Sequence, residues 1–135
     1  MTTVPTPYEL FGGAEFFQSL VHAFYERVAR DQILRPMYPD EDLGPAEQRL
    51  LMFLEQYWGG PKTYGDERGH PRLRMRHAPF PVDSIARDRW LSIMHDSLVE
   101  QKLPAAHEEE LWQYFVAAAF GMQNIYDDRP SPFEG

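Results

Sequence analysis

Apolar residues return every three or four positions in four separate stretches of this chain, and strict apolar–polar alternation is scarce. A spacing near 3.6 collects side chains on one helical face, whereas a half-buried strand needs period two. The spacing therefore predicts an all-α protein. Gly12-Gly13 precedes a helix of about 14–30, striped by Phe17, Leu20, Val21, Phe24 and Val28, with Tyr25 at the stripe's edge. Gly44-Pro45 opens a second helix, proline being tolerated in a first turn. It runs to about Trp58 with Leu50, Phe53, Leu54 and Tyr57 at i, i+3, i+4 and i+7. A third helix, about 84–101, offers Trp90, Leu91, Met94 and Leu98 to a core. After the Leu103-Pro104 break, a fourth carries Leu111, Phe115, Ala118, Met122 and Ile125.

The interruptions constrain the fold as much as the helices do. Arg35-Pro36-Met37-Tyr38-Pro39 is a corner, because each proline disfavours helical geometry in the residue before it. Trp58-Gly59-Gly60-Pro61 starts a long irregular run between the second and third helices. Its only relief is a short helix of about 71–77, opened by Pro71, that puts Leu73 and His77 on one face. Pro79 and Pro81 then force an extended segment around Phe80. Such a connection does not suit a plain up-down bundle. The chain reads as a single domain over 1–135, long enough to bury a core, with a loosely ordered tail at about 127–135.

With no cysteine, the chain has no disulfide, zinc–thiolate site, iron–sulfur cluster or thiolate ligand to haem, so histidine is the remaining anchor for a transition metal. A net charge of −8 argues against nucleic acid or an anionic membrane as partner. No apolar run approaches a membrane span, and the first residues lack the basic and apolar regions of a secretory signal. A cytoplasmic protein without membrane insertion is expected. Of five histidines, His22 shares a polar face with Gln18 and Glu26, and His107 sits beside three glutamates, where exposure is expected. His95 is mid-helix, and His70 precedes a proline in the loop. His77 alone joins an apolar helical neighbour, Leu73, to an aromatic, Phe80, beyond a proline stop. An imidazole so placed, fringed by arginines at 72, 74 and 76, suits a buried, planar, anionic metal cofactor. The nitrogen can take iron, and guanidiniums can pair with carboxylates at the cofactor's edge.

Five segments carry a resemblance: Tyr8-Glu9-Leu10-Phe11-Gly12-Gly13, Phe24-Tyr25, Leu34-Arg35-Pro36-Met37-Tyr38-Pro39, Phe53 through Phe80, and Arg87-Asp88-Arg89-Trp90. Through them the chain resembles the group II truncated haemoglobins of actinobacterial type, over nearly its full length. The resemblance implies a truncated globin fold, a two-over-two helical sandwich around haem b. It makes His77 the proximal iron ligand and leaves the opposite position open to O2, NO or CO. Tyr25, Tyr38 and Trp90 would line the distal side, where O–H and N–H groups donate to the partly negative outer atom of a held O2. Ala46, at the family's gate position, is too small to donate or to block. Arg49 and Arg76 would pair with the propionates, Tyr64 more weakly, while Leu50 and Phe53 would touch the ring. The function implied is O2 binding and transport, with NO dioxygenase or peroxidase-like chemistry as further activities. Such turnover needs an external reductase or reductant, because 135 residues hold no flavin or nicotinamide domain. The physiological ligand, a homo-oligomer and a covalent link between Tyr25 and Tyr38 stay open. The rival reading is a cofactor-free helical interaction module in which His77 and the aromatics are only core.

Overall fold

The computed structural model describes residues 4–61, 82–125 and 131–133. Helices α1 (Pro7–Phe11), α2 (Gly13–Ala29), α3 (Gly44–Tyr57), α4 (Ser84–Glu100) and α5 (Ala105–Met122) succeed one another, with a 3-10 turn at Arg35–Met37, and no strand occurs among the described residues. The expected short helix of about 71–77 lies outside the described residues. The α2/α3 pair packs against the α4/α5 pair chiefly where α2 meets α4. That is the all-α, two-over-two arrangement the resemblance implies.

Helix α1 is an addition to the sequence reading. Thr6 caps it, its hydroxyl accepting from the Glu9 N–H at 3.2 Å, and Pro7 supplies a preset first turn. Gly12 ends it with φ at 123°, and a Cβ there would lie 2.9 Å from that of Phe16, so glycine alone fits the sharp joint into α2. The Tyr8 N–H then donates to the Trp58 carbonyl at 2.8 Å, and its phenol to Glu55 at 3.0 Å, tying α1 to the end of α3. Asp83 caps α4 by accepting from the Ala86 N–H at 2.8 Å. Asn124, beyond α5, accepts from the Val82 N–H at 2.8 Å, so the start of α4 and the end of α5 are pinned together.

The α2 stripe behaves as read: Phe17, Leu20, Val21, Phe24 and Val28 are wholly buried, and so are Leu91, Met94 and Leu98 of α4 and Leu111 and Phe115 of α5. Two sequence expectations are corrected. Tyr57 is 55% exposed, because α3 turns Leu51 and Leu54 to the core instead. Ile125 stands past the end of α5 and is 46% exposed. Residues 131–133 fall in the stretch expected to be loosely ordered, yet they make contacts. The Ser131 hydroxyl donates to Asp88 at 2.9 Å, and the Phe133 ring meets Trp112 at 5.7 Å.

Candidate functional site

Four long helices enclose a cavity of about 580 Å³, a size typical of sites for one small ligand or cofactor. Its walls are mostly apolar: Leu34, Ala46, Leu50, Phe53 and Leu54 on one side, Val82, Ala86, Phe115, Ala118, Ala119 and Met122 on the other. Tyr25, Tyr38, Arg49, Arg87, Trp90 and Tyr114 bring polar groups to it.

Tyr25, at the edge of the α2 stripe, is buried, and its ring stands nearly perpendicular to that of Tyr38 with centroids 5.7 Å apart. The two hydroxyls lie near enough to influence each other's titration. Burial, and then the neighbouring phenol, push Tyr25 well above the ordinary tyrosine range, against a smaller opposing pull from the Arg49 charge. Burial raises Tyr38 too, although the nearby Tyr25 hydroxyl and the Arg49 charge draw it back. Both phenols are therefore neutral donors at physiological pH. Tyr38 owes its place to two side chains. Arg35 donates to the Tyr38 carbonyl at 3.0 Å and to those of Asp40 and Glu41 at 2.9 and 2.8 Å. Buried Asp31 accepts from the Ile33 and Leu34 N–H groups at 3.1 and 2.8 Å and from Arg89 of α4.

Trp90 sits between Phe24 at 5.2 Å and Phe115 at 5.9 Å, an aromatic seat that fixes its plane. Its indole N–H makes no hydrogen bond among the described residues, although the ring lines the cavity.

The structure thus gathers Tyr25, Tyr38, Arg49, Leu50, Phe53 and Trp90 around one hollow. His77, Arg76 and Tyr64 lie outside the described residues. Two lining residues escape a sequence reading. Arg87 is only 5% exposed; it donates to Gln123 at 2.6 Å and Asp88 at 2.8 Å, and its guanidinium lies 4.2 Å over the Phe120 ring. Tyr114, whose phenol burial pushes up, stacks on Tyr57. Among the other histidines, His22 is exposed beside Glu26 and Glu47, at 3.0 and 3.4 Å. His95 is half-exposed against Trp112. His107 corrects the expectation of exposure: its ring lies 5.3 Å from Phe11 and its Nδ1 is buried without a partner among the described residues.

The residues fit a haem. The carboxylates of a planar anionic group need a cation, and Arg49 in the lining supplies one; a polar ligand inside needs donors, and Tyr25, Tyr38 and Trp90 carry them.

Comparison with known proteins is consistent with that fit. The bacterial-like globin family model matches residues 6–124. A group 2 truncated haemoglobin of Bacillus subtilis is 47% identical over 92 residues, 68% of each chain. The crystal structure of a thermostable haemoglobin from the actinobacterium Thermobifida fusca superposes with a TM-score of 0.88 at 56% identity, covering 90% of this chain and 98% of that one. That of a truncated, oxygen-avid haemoglobin from Bacillus subtilis gives 0.84 at 41% identity, covering 89% and 100%.

Proposed function

The chain belongs to the bacterial-like globin family, as a truncated haemoglobin of group II, and on that premise we propose that it holds haem b through His77 and binds O2, NO or CO opposite that residue. The observation that carries the reading is the cavity itself, apolar on its walls and furnished with donors at Tyr38 and Trp90. Haem supplies the open coordination position at which a diatomic ligand is held; the remaining work falls to the chain. His77 provides a neutral imidazole nitrogen. Arg49, with Arg76 and Tyr64, holds the carboxylate edge. Leu50 and Phe53, in the cavity wall, would pack on the ring and keep water out. Tyr25 and Tyr38, both neutral and influencing each other, would offer phenol protons to the ligand beside the Trp90 N–H. Each such bond, at ~1 kcal/mol net, slows ligand escape about fivefold. Redox turnover of O2 or NO at this site draws its electrons from an external reductant.

Reconstitution with haem tests the reading. A strong Soret band with penta-coordinate ferrous and CO-bound spectra is expected, and His77→Ala should fold but lose stable haem. If that variant keeps the wild-type spectra, the proximal assignment is wrong.

A further inference from the structure

We propose that Asp31, held by Arg89, is a positioning residue for ligand retention, fixing where Tyr38 and Trp90 stand relative to one another. The proposal rests on the haem reading above. Neither Asp31 nor Arg89 lines the cavity, yet the segments they join carry its donors. Asp31 stands just past the end of α2, between Tyr25 on that helix and Tyr38 on the corner. Its side chain is 3% exposed, and its two oxygens have separate tasks. Oδ2 accepts from the Ile33 and Leu34 N–H groups at 3.1 and 2.8 Å, which sets the course of the corner toward Tyr38. Oδ1 accepts from Nε of Arg89, the residue before Trp90 on α4. Neighbouring positions on a helix keep a fixed angle and rise, so anchoring Arg89 anchors the Trp90 backbone as well.

One carboxylate therefore joins the donor on the corner to the donor on α4. Phe24 and Phe115 fix the plane of the Trp90 ring, and the Asp31 tie fixes its place against the corner. Hydrogen bonds weaken steeply with distance and angle, so two donors hold one ligand only while their separation is kept. A second tie between the same helices supplies the contrast. Arg27 of α2 donates to Glu100 of α4 at 2.8 Å and to the Ser97 hydroxyl at 3.4 Å. Those partners lie about two to three turns along α4 from Trp90, and neither carries a donor to the cavity. Both ties brace α2 against α4. Only the Asp31 tie also holds the corner.

The test compares Arg89→Met, Arg89→Lys and Arg27→Met, all at side chains that reach the surface. In the haem-loaded chain, the stretching frequency of CO falls when donors point at it. Arg89→Met should raise and broaden that band and speed O2 release by about fivefold, the equivalent of one hydrogen bond. Arg89→Lys still offers a donor to Asp31 and should restore most of both. Arg27→Met should leave both unchanged, even where it lowers the melting temperature as far as Arg89→Met does. In the haem-free chain, the Trp90 indole N–H peak of a correlation spectrum, assigned by its loss in Trp90→Phe, should shift in Arg89→Met and stay in Arg27→Met. Equal effects of the two methionine variants would overturn the positioning role, as would an unchanged CO band and O2 release in Arg89→Met. A missing Soret band in the wild type marks the separate failure of the haem reading, and the role in retention falls with it.

Discussion

Tyr25 and Tyr38 meet edge to face with centroids 5.7 Å apart, and their hydroxyls influence one another. Tyr25→Phe and Tyr38→Phe should each speed O2 release, by about fivefold for ~1 kcal/mol. The double variant should fall short of the summed effects, because members of one hydrogen-bond network do not add. Stopped-flow release on the two singles and the double decides it, and strict additivity would mean that no shared network exists. Trp90→Phe keeps most of the apolar bulk between Phe24 and Phe115 but removes the N–H. A loss of ~1.4 kcal/mol or more corresponds to tenfold faster O2 release or beyond. An unchanged rate would reduce Trp90 to packing. These three residues were readable only through the family's order of motifs, since spacing alone makes Tyr25 an edge aromatic and Trp90 a core one. Arg87 was hidden for a different reason: a charged residue one turn before a tryptophan reads as a solvated face. Here Gln123, Asp88 and the Phe120 ring provide the partners that let it go inside.

At the scale of elements, the long helices were legible because each carries a wholly buried stripe. The face of α3 was not. Leu51 and Leu54 are buried in the core while Leu50, Phe53 and Leu54 also line the cavity, so the apolar arc of α3 is too broad to fix a rotation. Helix α1 is too short for any period, and only Thr6 and Pro7 announce it. The corner after α2 was readable from its prolines, but its anchor was not, because Asp31 draws on Arg89 from another helix. Burial alone would raise the Asp31 pKa, but hydrogen bonds from Leu34, Arg89 and Ile33 outweigh it and the net shift is downward. A depressed carboxyl stabilises the fold above its unfolded pKa and loses that contribution as pH falls through the folded one. Asp31→Asn should therefore cost ~1–3 kcal/mol at neutral pH, the range for hydrogen bonds to a charged acceptor, because half-exposed Arg89 is screened by water. Below the ordinary carboxyl pKa of about 4, the gap between variant and wild type should close. Urea unfolding at several pH values measures it; a gap that ignores pH would show that the charge is irrelevant.

The whole molecule trades packing for a hollow. Helices that enclose about 580 Å³ forgo contacts that a filled core would make, so the empty chain is less stable than its length suggests, and an occupant restores what is missing. Ligand that binds only the folded state adds about 4 kcal/mol when present at a thousandfold its dissociation constant. For a domain of this size that is a rise in melting temperature on the order of 10 °C. Ala118, half-buried in the α5 wall, gives a way to separate the two contributions. Ala118→Phe should push a ring into the hollow and, if the walls accept it, stabilise the haem-free chain by ~1–2 kcal/mol through buried apolar area. The same ring occupies space that haem requires, so haem uptake and the haem-induced melting shift should both fall. Melting curves with and without haem, read beside the Soret amplitude, test this opposition. A helical module with no cofactor predicts that haem leaves the wild-type melting point unmoved. An Ala118→Phe chain that gains stability and still takes up haem normally would put the cofactor somewhere other than this cavity.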